Sequence, residues 1–278
     1  MENPIRLTPS LREKVWGATH LEPWFADSAQ PIGEAWFIAH ACDPVPSRDR
    51  QGALAELELP LLVKLIFTSE RLSVQVHPDD GEDGPRGKSE MWHILAAEPG
   101  ATIALGFREP ITREHLREAA RTGEIERLIN WMPVKAGETY FTAAHTVHAI
   151  GAGIVLCEIQ QNSDVTYRLW DYGRDRPLHV EQAAAIADLG VHPGAVRPVA
   201  IAEGRELLVQ SKHFVTELVQ VGQFVPAAEK CQLWICVEGS GTIGAEAVRA
   251  GEVWLLPEAG EQPVVRGAAR FLRTWVPE

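Results

Sequence analysis

The chain has 278 residues, 45% of them apolar and 23% charged, with a formal net charge of −12. That acidity excludes a nucleic-acid partner, which would need a basic surface, but not a small anionic substrate held by a few local lysines or arginines. No run of 18 apolar residues is present to cross a membrane, and "MENPIRLTPSLREKVWG" lacks the basic start and apolar stretch of a signal peptide, so no membrane partner and a cytoplasmic location are expected.

In chain order, "LPLLVKLIF" (59–67), "LSVQVH" (72–77), "MWHILAA" (91–97) and "TIALGF" (102–107) read as strands, short and rich in β-branched and aromatic residues. The segment "TREHLREAARTGEIERLINWM" (112–132) changes period. Leu116, Ala119 and Ala120, then Ile125, Leu128 and Ile129, recur at helical spacing, with Thr112 as the cap and Gly123 breaking the stretch in two. Strands resume with "TYFTAA" (139–144) and "IVLCEIQ" (154–160). A short helix over "VEQAAAIADLG" (180–190) and a linker over 191–206 follow. The chain closes with strands "FVTELVQV" (214–221), "QLWICVEG" (232–239), "EVWLLP" (252–257) and "RFLRTWV" (270–276). This pattern predicts a mainly β sandwich or jelly roll. Cys42, Cys157, Cys231 and Cys236 are too scattered for a disulfide framework.

A weak repeat divides the chain. "AGETYFTAAHTVH" (136–148) aligns with "AGEVWLLPEAGEQ" (250–262), placing His148 opposite Gln262, each eleven residues after its glycine. Residues 1–190, with the helical insertion at about 110–132, are therefore expected to form the catalytic β-unit. Residues 207–278 are expected to form a second, degenerate copy without the histidine.

Candidate chemistry gathers around "RLSVQVHPDD" (71–80). Strand alternation puts Gln75 and His77 on one face, just before a turn. Glu90 opens the strand after the loop "DDGEDGPRGKSE" (79–90), and His148 is expected to end the strand that follows Gly137. Two imidazoles, a carboxylate and an amide oxygen can hold a divalent metal such as zinc, iron or manganese while leaving a position open. Lys88 can bring positive charge to the same mouth. Arg168 and Glu158 sit in or beside "VLCEIQQNSDVTYRLW" (155–170), in reach of the same site. His93 is expected on the face opposite Glu90, and His145 near solvent. His20, His40, His115, His179, His192 and His213 are read as ordinary surface or core histidines.

The stretches "PLLVKLIFTSERLSVQVHPDD", "GKSEMWHIL" and "TVHAIGAGIVLCEIQQNSDVTYRLWDYGR", with "KVWGATHLEPWF" and "PIGEAWFIA" before them, resemble type I mannose-6-phosphate isomerases of the cupin superfamily. The likeness spans about residues 5–180 by motif and 181–278 in layout only. It implies a jelly-roll barrel whose mouth holds one catalytic zinc on Gln75, His77, Glu90 and His148, although manganese or cobalt can occupy such a set. Arg168 matches an active-site arginine, Lys88 and Glu158 match pocket residues, and Trp16 matches a pocket tryptophan.

The implied reaction interconverts mannose 6-phosphate and fructose 6-phosphate through a cis-enediol. The metal would polarise the C1 and C2 oxygens, and Arg168 would stabilise the enediolate. Glu158 would shuttle the proton, with metal-bound water as the alternative, and Lys88 and Trp16 would contact substrate. The partner is then a small sugar phosphate, and the protein a monomer or small homo-oligomer. A non-catalytic sugar-binding cupin, an isomerase of another sugar phosphate and an iron oxygenase are the competing readings. Two departures stand out: His145 occupies a position that is usually glycine in the family, and "EAWFIAHACDP" lacks the Glu and Ser often found after the tryptophan.

Overall fold

The computed structural model describes residues 4–37, 48–49, 59–220, 222–226, 231–256, 258 and 262–277. Burial along the strands decides the layering. All eight residues of Leu61–Thr68 are buried, so this strand has core on both faces. It lies in a six-stranded antiparallel sheet of order Thr139–Thr142, Glu90–Ala97, Ile154–Gln161, Leu61–Thr68, Ile32–Trp36, Ser10–Ala18. One face of that sheet gives Ile66, Trp92, Ile94 and Leu156 to a core shared with Ile103, Leu105 and Ile150. These last three belong to a five-stranded sheet of order Tyr167–Trp170, Val74–Val76, His148–Ile150, Thr102–Phe107, Ile129–Pro133.

The other face gives Val63, Leu65, Phe67 and Ile159 to a core shared with Leu218, Leu233, Ile235 and Leu272 of an eight-stranded sheet. A four-stranded sheet covers the far side of that one over Trp234, Trp254, Ile243 and Val265. Two jelly-roll sandwiches thus stand back to back. The N-terminal strand Ile5–Thr8 pairs with Val253–Leu256 in the eight-stranded sheet, so the first residues of the chain help build the sheet of its last ones.

The helix Arg113–Thr122 starts where Thr112 accepts a hydrogen bond from the His115 amide (3.1 Å) and stops at Gly123, whose φ of 81° suits a residue without a Cβ. Its buried Leu116, Ala119 and Ala120 cover Val74, Val76 and Phe107 on the outside of the five-stranded sheet. The helical stretch is shorter than its sequence suggests. A second helix covers only Ile125–Leu128, and Ile129–Pro133 turns into a strand against Thr102–Phe107. Ile129 and Trp131 favour a sheet, and Pro133 cannot extend a helix.

The third helix, Val180–Ile186, ends before Gly190 because Asp188 bridges to Thr146. Residues 199–202 form an edge strand in the stretch expected as linker, hairpinned onto Arg205–Gln210. The strands Ser10–Ala18 and Ile32–Trp36 complete the six-stranded sheet, with a β-bulge between Arg12 and Glu13.

His148 opens a strand instead of ending one. Thr142 still faces Glu90 in the six-stranded sheet; after the turn over 143–147 His148 faces Gln75 in the five-stranded sheet. The two halves of the repeat keep the same entry geometry, with φ of 89° at Gly137 and 88° at Gly251 and a strand starting two residues after each. Among the described residues, no helix is long and apolar enough to cross a membrane.

Candidate active site

Register brings the site together from two facing sheets. In the six-stranded sheet, Trp36, Lys64, Glu158 and Trp92 are directly opposite one another across four strands. The row two residues along aligns Gln160, Glu90 and Thr142. In the five-stranded sheet Arg168, Gln75 and His148 form the matching row. Cross-strand neighbours share a face, so both rows aim into the space between the sheets.

At one end of that space His77, Glu90 and His148 converge, each buried, with one ligand atom apiece lying within 4.8 Å of the others. The His77 Nδ1 lies 2.9 Å from the Val165 carbonyl and the His148 Nδ1 lies 2.8 Å from the Thr146 carbonyl. Donating there fixes each tautomer and leaves Nε2 with its lone pair exposed to the cluster. These Nε2 atoms stand 3.6 and 3.5 Å from the two oxygens of Glu90. The Glu90 Oε1 is buried and has no hydrogen-bond partner. A fully buried carboxylate oxygen left unpartnered 3.5 Å from an imidazole lone pair is a costly arrangement, and it fits a divalent metal.

The Gln75 amide lies beside them. Its nitrogen is 3.2 Å from His148 Nε2, and its oxygen accepts from Ser73 Oγ. A half-turn of the amide exchanges the two atoms and presents oxygen to the cluster, as ligation requires. The Lys88 ammonium contacts Glu90 and lies 3.1 Å from His77 Nε2, so it supplies positive charge at the same spot.

Burial governs the protonation of the cluster. It pushes His77 well below the ordinary imidazole range, helped by Lys88, and brings His148 down to about 3. Both are therefore neutral, the form that binds metals. Burial raises Glu90 to about 7, and repulsion from Glu158 adds to this. For Glu158 burial acts upward too, but Lys64 and Lys88 outweigh it and hold the carboxyl at about 2. The two carboxylates are thus pushed apart by their cationic neighbours. The Glu158 Oε1 is 3.1 Å from Lys64 Nζ, and its Oε2 accepts from Trp92 Nε1 at 3.1 Å. A carboxylate so well held as an anion has little proton affinity, which weakens its expected role as the base.

Gln75 and Lys88, which touch the cluster, also line a cavity of about 280 Å³, near the lower end for small-molecule sites. Lys14, Lys64, Lys88, Arg168 and Arg176 line it and outnumber the acidic groups there, so a chain of net charge −12 presents a locally cationic pocket. Arg168 is anchored through Nη1 to the Pro177 carbonyl (2.8 Å), while its Nε is buried without a partner. Trp16 forms part of the wall and is 4% exposed. Its place depends on Gly33: a Cβ there would lie 2.7 Å from the Trp16 ring and 2.5 Å from the Lys14 side chain.

All eight sequence-derived candidates (Trp16, Gln75, His77, Lys88, Glu90, His148, Glu158 and Arg168) fall on this cluster or cavity. The reading of the sequence missed Lys64 and Glu34. Lys64 lies between Glu158 and Glu34, which is 3.8 Å away, and Glu34 also pairs with Lys14 at 3.0 Å. The available signal was a lysine inside the apolar run "LPLLVKLIF", since a charge in a doubly buried strand needs a partner.

Comparison with known proteins accords with this geometry. No family model matches the chain. The mannose-6-phosphate isomerase of Streptococcus mutans is 32% identical, over 92% of this chain and 93% of its own. The chain belongs to the mannose-6-phosphate isomerase family. A crystal structure of the family member from Bacillus subtilis superposes with a TM-score of 0.87 at 27% identity, covering 98% of this chain and 99% of that one. A mannose 6-phosphate isomerase bound with zinc and yttrium shares the fold at a TM-score of 0.80 and 17% identity, with 99% and 100% covered.

His145 is the expected departure from the family pattern. Its φ of 73° lies in the left-handed region, which favours a residue without a Cβ. The imidazole neither narrows the cavity nor joins the metal-ligating group: its Nε2 pairs with Glu82 at 2.7 Å. Its backbone amide donates to the His77 carbonyl (2.8 Å), so the turn itself braces the cluster. The other expected departure, in "EAWFIAHACDP" (34–44), lies outside the described residues after Phe37.

Proposed function

We propose that this protein interconverts mannose 6-phosphate and fructose 6-phosphate, using one divalent metal, zinc in the first instance, on Gln75, His77, Glu90 and His148. The observation that carries this reading is the unpartnered Glu90 Oε1, 3.5 Å from the His148 Nε2, in a cluster whose neighbours Gln75 and Lys88 line a cationic cavity. When bound, the metal supplies Lewis-acid polarisation of the C1 and C2 oxygens of the sugar.

The chain's own groups then do the rest. Removing a proton beside a carbonyl leaves negative charge on oxygen, and the Arg168 guanidinium, hydrogen-bonded to the Pro177 carbonyl, would stabilise it. Lys88 adds a second positive charge next to the cluster. Glu158 fixes the Lys64 ammonium against the cavity, a role its low proton affinity suits better than that of general base. Trp16 walls off solvent, and the cationic lining suits a phosphorylated sugar over a neutral one. Free Cys157 and Cys231 accord with a reducing compartment such as the cytoplasm.

The test is turnover of mannose 6-phosphate in an assay coupled to fructose 6-phosphate, with metal removed and restored. No turnover in a fully metallated protein would defeat the proposal.

A further inference from the structure

The loop after His77 carries a second group of metal-ligating atoms outside the cavity. Asp79 and Asp80 begin that loop, and His213 lies in the turn between Arg205–Gln210 and Val215–Val219 of the eight-stranded sheet. One nitrogen of His213 and one oxygen from each carboxylate lie within 4.8 Å of one another. The His213 Nε2 is 3.9 Å from Asp79 Oδ1, and its Nδ1 is 3.8 Å from Asp80 Oδ2. Neither distance is a hydrogen bond. Yet the His213 side chain is only 10% exposed, and its Nε2 is buried without a hydrogen-bond partner. The Nε2 nitrogen, buried to that depth, faces the Asp79 carboxylate across a gap too long for a hydrogen bond, and the ring's other nitrogen stands as far from Asp80.

The other contacts of these groups do not supply it. Asp80 Oδ1 accepts from the Gly87 amide and from Gln161 Nε2, both at 2.8 Å, and Asp79 Oδ1 accepts from the Asp80 amide at 2.9 Å. Lys212 Nζ approaches the Asp79 oxygens at 3.2 and 3.4 Å, but its side chain is 65% exposed and free to swing into solvent. Burial lowers the pKa of His213, against the pull of Asp80, which favours a neutral imidazole with a lone pair to give.

We propose that Asp79, Asp80 and His213 form a second divalent-cation site that clamps the loop bearing Lys88 and Glu90 to the C-terminal sheet. One imidazole and two carboxylates suit zinc or manganese, with water completing the shell. The loop joins His77 to Glu90, so a cation there would cross-link the two sandwiches at the segment that sets the spacing of the catalytic cluster. Lys212 would act as the competing internal cation.

Metal content per chain, after chelation and dialysis against Zn²⁺ or Mn²⁺, tests this in the full-length protein. About two equivalents are expected in the wild type. His213→Phe and the isosteric Asp79→Asn should each lose about one, and His148→Ala should lose the other. Thermal midpoints should still rise with added metal in His148→Ala but no longer in His148→Ala/His213→Phe. Lys212→Ala should bind the second equivalent more tightly. A count that His213→Phe and Asp79→Asn leave unchanged would overturn the clamp, as would a His148→Ala protein holding no metal. Failure of the catalytic site would show differently, as a count that His148→Ala does not change.

Discussion

The imidazoles of His77 and His148 stand 4.7 Å apart between ring centroids, tilted by 45°, and each turns Nε2 toward Glu90. The histidines come from the end of one strand and the start of its neighbour in the five-stranded sheet, while Glu90 comes from the facing sheet. The site therefore exists only once the two sheets have packed. Trp92, edge-on to His148 at 5.4 Å, is part of that packing.

Arg168→Ala should leave the metal in place, because Arg168 touches none of the clustered ligand atoms. Turnover should fall by about a hundredfold or more if the guanidinium stabilises the enediolate. Metal analysis alongside steady-state kinetics checks both halves. Unchanged kcat would return Arg168 to a structural role.

Lys64→Met should be costly. It strips Glu158 and Glu34 of their shared cation in a buried row, and breaking a buried pair from one side costs roughly 3–5 kcal/mol. With Lys64 gone, burial is opposed by less positive charge and the Glu158 carboxyl should rise from about 2. Lys64→Met/Glu158→Leu should recover part of the stability. Chemical denaturation of the single and double variants measures the coupling.

Gly33→Ala should strain the wall of the pocket. The new methyl would press on Trp16 and Lys14, and overpacking of this kind costs about 1–3 kcal/mol. A lower thermal midpoint with a raised KM is expected, and an unchanged KM would separate Trp16 from substrate contact.

His93 offers a pH test away from the cluster. Burial, helped by Arg270, lowers it to about 4 from the ordinary 6.5. Between those values the unfolded chain binds a proton that the folded one refuses, so stability is intact above pH 6.5 and drains away as pH falls toward 4. The loss reaches about 3 kcal/mol at the acid end. In His93→Gln the slope of stability against pH over that window should flatten by about one proton.

The cluster of His77, Glu90 and His148, with Gln75 beside it, was legible because its members sit beside local signals. Alternation in "LSVQVH" aligned Gln75 with His77, and the turn that follows exposed the strand end. The ladder of central strands was equally plain from β-branched runs. Ser10–Ala18 was not: its apolar positions are irregular because a β-bulge shifts its register between Arg12 and Glu13. Lys64 and Glu158 are 94 positions apart, and only the pairing of their strands makes them neighbours. Asp79 and His213 meet across two sandwiches, a relation no local pattern encodes.

The most direct test of the account is the coupled assay on mannose 6-phosphate with wild type and His77→Ala, before chelation, after it, and after zinc add-back. Wild-type turnover should vanish on chelation and return with zinc, and His77→Ala should neither bind the catalytic metal nor turn over. Full activity in the chelated wild type, or in His77→Ala, would contradict it.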